Sequence, residues 1–188
     1  LRDKIANNTN LNKKICFVYV GRYHKIKNQD FLIRGFDKFC IDKDNVELHI
    51  AGKGMDENNF ENLIHQKNIN KFIWYGEVAN PFELYKKSNV MILTSLAEGF
   101  PNVIGEAMSV GLPVITTNAG ESYQLVQNTG FKIDITEESF ISTLQYIYDN
   151  PAIIKEKSEK AYTLIRENYS LEKMIRLYKN YYSYIGGK

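Results

Sequence analysis

Six short runs of mostly β-branched and aromatic residues recur along the chain, at 15–20, 46–51, 72–75, 90–94, 113–117 and 131–133. Several, such as VMIL and PVIT, are apolar on consecutive rather than alternate positions, the pattern of strands covered on both faces. Between them, apolar residues recur at helical spacing over 29–40, 57–66, 81–87, 101–110 and 122–127. The alternation predicts βαβ units and therefore a parallel sheet. Right-handed crossovers then bring the loop after each strand to one edge, where open α/β sheets bind ligands. Beyond residue 135 the strand signal stops, and 137–148, 151–167 and 171–184 read as three helices. Pro151 in a first turn and Ser170 before Leu171 mark two of their starts.

Three of those strand-end loops have residues suited to a phosphorylated ligand. After the first strand, Gly21 to Asn28 carries Arg22, His24, Lys25 and Lys27. An Arg fork and a mobile Lys can neutralise a diphosphate without a metal, although basic loop residues are also common on solvated surfaces. After the second strand, Gly52 and Gly54 let backbone approach a ligand closely. The third glycine of a dinucleotide fingerprint is missing and no P-loop is present, so by itself this pair reads as a tight turn. After the fourth strand, Glu98 and Glu106 bracket a helix start at Pro101. Phe100 supplies no capping oxygen, which predicts unmatched N–H groups on Asn102, Val103 and Ile104, a setting that favours an anion. Val103, Ala107 and Val110 imply a buried helix, and Gly105 implies close packing there. The loop 116–121 ends the next strand on the same edge and reads as a pocket wall or a plain loop.

Composition narrows the setting. With 188 residues, 44% hydrophobic and 24% charged, the chain has enough apolar material for one domain with a real core. Lys and Arg total 24 against 22 Asp and Glu, a net charge of +2, so no global field draws it to nucleic acid. Cys16 and Cys40 read as buried small hydrophobes in a reducing, cytoplasmic compartment. No apolar stretch reaches the roughly 18 residues of a membrane span. The Asn-rich segment 1–14 reads as the remnant of an interdomain linker, leaving 15–188 as the domain proper.

Taken in order, the motifs resemble the family-four retaining glycosyltransferases of the GT-B fold. EGFPNVIGEAMSVGLPVI, from Glu98 to Ile115, is similar to that family's E-x7-E segment with its tail. VGR ending at Arg22, with Lys27 beyond it, is similar to the phosphate pair. IAGKG at 50–54 and FIWYGEV at 72–78 are similar to the second-strand glycines and the nucleobase strand. The resemblance implies a Rossmann-like parallel sheet with helices on both faces and C-terminal helices, one half of a GT-B fold.

It also implies roles. Arg22 and Lys27 hold and stabilise the donor diphosphate without a metal, Glu106 receives the ribose hydroxyls, and Glu98 works electrostatically on the transferred sugar. Gly21, Gly52 and the backbone of Phe100, Pro101, Asn102 and Val103 approach the donor, and Gly76, Glu77 and Val78 line its base. The implied donor is a UDP- or GDP-sugar, with no other cofactor. The implied partner is an N-terminal acceptor domain, through which the full-length enzyme would reach the inner face of the membrane. Without that domain the chain alone is expected to be inactive. An epimerase-like enzyme or a non-catalytic sugar-nucleotide module stays open. Two departures bear on the loops: Asn28 stands where the family usually has Gly, and Ala119-Gly120 replaces a frequent Gly-Gly. His49 and His65 read as structural, and His24 as a neighbour of the phosphate pair. The final helix, with Tyr178, Tyr181, Tyr182 and Tyr184, is expected to present an exposed aromatic face.

Overall fold

A computed structural model of the chain describes residues 14–186; the linker expected over 1–14 lies outside them except for Lys14. Six strands form one parallel sheet: β1 (Ile15–Val20), β2 (Val46–Ala51), β3 (Phe72–Trp74), β4 (Val90–Leu93), β5 (Val114–Thr117) and β6 (Phe131–Ile133), in the order β3-β2-β1-β4-β5-β6. The helices are α1 (Gln29–Phe39), α2 (Phe82–Lys87), α3 (Asn102–Ser109), α4 (Ser122–Val126), α5 (Glu137–Asp149), α6 (Ala152–Asn168) and α7 (Leu171–Gly186).

From β1 the chain steps outward to β2 and β3, and from β4 it steps the other way to β5 and β6. Right-handed crossovers in opposite directions put their helices on opposite faces, which gives the doubly covered Rossmann-like sheet. On one face α1 packs against α5, and on the other α3 packs against α6. The core beneath α1 is aromatic: Phe36 meets Phe17 of β1 and Phe72 of β3 edge to face, at centroid distances of 5.6 and 5.5 Å. Gly35 lets α5 come close, since a Cβ there would lie 2.5 Å from the Phe140 ring. The strand order reverses between β1 and β4, which are direct neighbours. In open α/β sheets the carboxyl edge at such a reversal is where ligands bind.

One predicted helix is not formed. Residues 57–66 fold instead as short 3-10 turns, Glu57–Asn59 and Glu61–Leu63, with a third at Gln66–Lys71. Local polar side chains compete for the backbone here. Asp56 accepts from the Asn59 N–H, the Asn59 side chain donates to the Gly54 carbonyl, and Asp37 accepts from the His65 N–H. The apolar residues of the segment still pack inward, with Phe60 stacked on Trp74 at 5.4 Å.

Helix α7 begins as read, with the Ser170 hydroxyl accepting from the Lys173 N–H. Leu171, Met174, Ile175, Tyr178, Tyr181, Tyr182 and Ile185 recur at helical spacing, and every one is exposed. No helix among the described residues is long and apolar enough to cross a membrane.

Candidate functional site

Backbone hydrogen bonds join the carboxyl ends of the first three strands. The Gly21 N–H donates to the Ala51 carbonyl (2.9 Å), Tyr23 to Lys53 (2.8 Å), and Gly52 to Gly76 (2.7 Å). This puts the predicted glycines 21, 52 and 76 side by side. Gly52 is indispensable at the join: its φ is +140°, and a Cβ would fall 2.0 Å from the Gly21 carbonyl oxygen. Glu77 is exposed just past Gly76, while Val78 turns inward to pack on the core.

The loop after β1 leads into a 3-10 turn, Lys25–Lys27. His24 caps it, its Nδ1 accepting from the Ile26 N–H at 3.2 Å. The turn ends at Asn28, whose φ of 55° and ψ of 43° are left-handed, and Asn tolerates that region better than other residues bearing a Cβ. The Asn28 departure is thereby accommodated. Gln29, buried at the start of α1, ties the loop to the sheet by donating to the Tyr19 hydroxyl (2.9 Å) and the Arg22 carbonyl (2.8 Å). Arg22 itself projects into solvent at the same edge.

At the neighbouring strand end, the loop after β4 is fastened to that turn. The Leu96 N–H donates to the Ile26 carbonyl (2.7 Å), and the Thr94 hydroxyl reaches the carbonyls of Lys27 and Asn28 (3.2 and 3.3 Å). Here Lys27 and Glu98 meet, Nζ to Oε1 at 2.6 Å, with side chains only 23% and 10% exposed. The Ser95 hydroxyl donates to the same Oε1 at 2.6 Å. From β5, Thr117 donates to the Ser95 carbonyl, and Gly120 backs onto the loop so closely that a Cβ would lie 2.0 Å from the Glu98 carbonyl oxygen. Gly120 has φ +53°, whereas Ala119 is not among the positive-φ residues, so the second departure also leaves the turn intact.

Helix α3 starts one residue later than expected, with Pro101 at the cap position and no side chain capping it. Of the three first-turn amides, Ile104 donates to the Pro101 carbonyl at 2.9 Å and is not unmatched as predicted. Asn102 and Val103 are the donors presented at the tip. The helix is buried on one side only, through Ile104, Ala107 and Met108. Its other side lines a groove of about 400 Å³ with Phe82, Phe100, Asn102, Glu106 and Tyr169. Gly105 also faces this groove and has open space around its Cβ position, so the close packing expected there does not occur. Glu106 is anchored by the Tyr85 hydroxyl, which donates to Oε2 at 3.2 Å. Burial, and then the neighbouring Glu106 carboxylate, push the Tyr85 phenol far above its ordinary range, so it stays a donor.

The candidate residues thus fall into three groups: glycines 21, 52 and 76 at the first three strand ends, the Lys27–Glu98 pair at the reversal of strand order, and a groove with Glu106, Phe100 and Asn102. Ser95, Thr94, Gln29 and Tyr85 are supporting residues that the sequence reading missed. A lone hydroxyl or amide in an apolar run leaves no pattern, and only the pairing of β1 with β4 brings Thr94 to the loop it holds.

The remaining histidines lie elsewhere. His65 bonds to buried Asp37. His49 joins Cys16 through Glu47, with Cys16 Sγ and His49 Nε2 at 3.6 and 3.3 Å from Oε2. The Tyr75 hydroxyl meets the other ring nitrogen of His49 at 3.2 Å, and Lys14 pairs with Glu47 at 2.5 Å. Both cysteines are free thiols, pushed up to about 11 chiefly by burial.

Residues 2–168 match the family of glycosyl transferases group 1, and the chain belongs to that family. It is 39% identical over 103 residues to the uncharacterized glycosyltransferase MJ1059 of Methanocaldococcus jannaschii, covering 54% of this chain and 25% of that protein. It is 33% identical over 132 residues to the capsular polysaccharide biosynthesis glycosyltransferase CapM of Staphylococcus aureus, covering 66% and 34% respectively. The chain therefore spans only a part of the curated relatives it matches. Among solved structures, the C-terminal domain of the glycosyl transferase group 1 family protein LpcC from Francisella tularensis superimposes with a TM-score of 0.72 at 17% identity, over 90% of this chain and 92% of that one. The fold is the Rossmann-like half of the GT-B architecture.

Proposed function

We propose that this chain is the donor-binding domain of a retaining hexosyltransferase that moves a sugar from a UDP- or GDP-sugar to a glycan or lipid-linked acceptor in surface polysaccharide synthesis. The observation that carries this reading is the meeting of Lys27 and Glu98 at the reversal of strand order, in the loops that lead into α1 and α3. A diphosphate lying there gains the Lys27 ammonium, the α3 tip and, from the loop rim, Arg22. These groups stabilise charge on the leaving diphosphate without a metal. Glu106, held by Tyr85, accepts from the ribose hydroxyls, and the groove beside it takes the adjoining part of the ligand. Glu98 serves the transferred sugar as a positioning and electrostatic group. The acceptor site belongs to an N-terminal domain, so catalysis is a property of the longer protein; capsular polysaccharide synthesis by CapM supports the pathway assignment.

The test is a thermal-shift screen of UDP, GDP and their hexose conjugates in the presence of a chelator, against wild type and Arg22→Ala. A ligand specific to the folded state raises the melting temperature. At least one nucleotide stabilises the wild type without metal, and Arg22→Ala reduces the shift. Equal shifts in both proteins would sink the phosphate assignment.

A further inference from the structure

The Lys27 ammonium that the diphosphate needs is already committed. Its Nζ lies 2.6 Å from Glu98 Oε1, and the pair is largely sheltered from water. Each partner is held in place independently of the other: the Lys27 carbonyl is clasped by Thr94, and the Glu98 carboxylate receives the Ser95 hydroxyl. Phosphate oxygens and the Glu98 carboxylate therefore compete for the same three ammonium protons. The ammonium has three protons, but phosphate and carboxylate are like charges, so a phosphate drawn in beside Glu98 pulls the ammonium away from that carboxylate.

The two halves of a donor molecule answer that loss differently. A diphosphate brings acceptor oxygens only at neutral pH and has nothing to give Glu98. A carboxylate 10% exposed, left with the Ser95 hydroxyl alone, is under-satisfied. A hexose attached to the diphosphate brings hydroxyl donors to the next position along the ligand, where they can replace the ammonium on Glu98. Resting on the donor-binding reading above, we propose that Glu98 withholds Lys27 from a bare nucleoside diphosphate and yields it only when sugar hydroxyls take the ammonium's place. Glu98 then makes the domain prefer the intact sugar nucleotide and weakens its hold on the diphosphate product. Its part is to regulate the grip of Lys27, in addition to contacting the sugar.

Calorimetric titration of the 188-residue chain with UDP, GDP and their glucose, galactose, mannose and N-acetylglucosamine conjugates tests this. For the base that binds, the wild type holds one conjugate more tightly than the corresponding diphosphate. Glu98→Gln, which keeps the shape and removes the charge, tightens the bare diphosphate by roughly tenfold or more, the size of one charge-assisted hydrogen bond. It also narrows or abolishes the preference for the conjugate. Glu98→Ala does the same should the Gln variant fold poorly, with the melting temperature of each variant recorded. Lys27→Met weakens both ligands, and in the Lys27→Met, Glu98→Gln double variant the tightening disappears. Unchanged or weaker diphosphate binding in both Glu98 variants overturns the proposal while leaving the donor-binding reading in place. No binding of any of these nucleotides to the wild type overturns both.

Discussion

At the scale of single residues, the site depends on a few positions where no other side chain fits. Gly52→Ala combines a φ of +140° with a Cβ 2.0 Å from the Gly21 carbonyl oxygen, and the obstacle is backbone that cannot rotate away. Destabilisation by more than about 2 kcal/mol is expected in urea titrations. Gly105→Ala is the opposite case, a helical glycine with open space around its Cβ position. It should raise stability by about 0.5–1 kcal/mol. Glu106→Ala removes the acceptor assigned to the ribose. UDP or GDP binding should fall by about 1.5–3 kcal/mol, with the deoxyribose analogue binding as well as the parent in the variant. Equal binding of the two sugars by the wild type would refute that role. Glu98 and Glu106 stood out as candidates because a charge in a frame of glycine, proline and apolar residues is conspicuous, and Lys27 because its loop concentrates basic side chains. Thr94 and Tyr85 did not: the Lys27 and Asn28 carbonyls and the Glu106 carboxylate that they meet lie on other elements, and no spacing along the chain encodes those contacts.

At the scale of elements, the strands were legible almost residue by residue, because burial on both faces writes an unbroken apolar run. The segment 57–66 was misread for a physical reason. Phe60, Leu63 and Ile64 have helical spacing, but Asn58, Asn59 and Asn62 sit among them, and Asp56 and Asp37 offer the backbone other partners. Inward-facing residues at that spacing are served as well by consecutive 3-10 turns. Helix α7 presents the reverse situation: its apolar face is regular, and the described part of the chain covers none of the seven residues named above. Its contribution to the fold of the domain is therefore small. Ending the chain at Ser170 should leave the thermal midpoint unchanged within error and lower self-association in sedimentation runs. A large drop in the midpoint would show that α7 supports the sheet.

At the scale of the molecule, buried Cys40, Tyr19 and Tyr85 and the half-buried Cys16 set the alkaline limit. Burial raises Cys16 and Cys40 from 9.0 to about 11, and it raises Tyr19 and Tyr85 further still. Above about pH 9 the unfolded chain gives up these protons while the folded chain keeps them. The unfolded state then binds fewer protons, and stability falls as pH rises. The loss should begin near pH 9 and continue through pH 11 in thermal melts, with Cys16→Ala flattening its first part. A melting temperature constant from pH 8 to pH 11 would contradict the burial of these groups. The joins between the first three strand ends are also made peptide to peptide, by Gly21, Tyr23 and Gly52. A frame of that kind owes its shape to the main chain, so Tyr23, Lys53 and Glu77 can be exchanged without rebuilding it. Libraries at these three positions should yield folded proteins at high frequency, and so let the proposed nucleotide preference be varied on an unchanged frame.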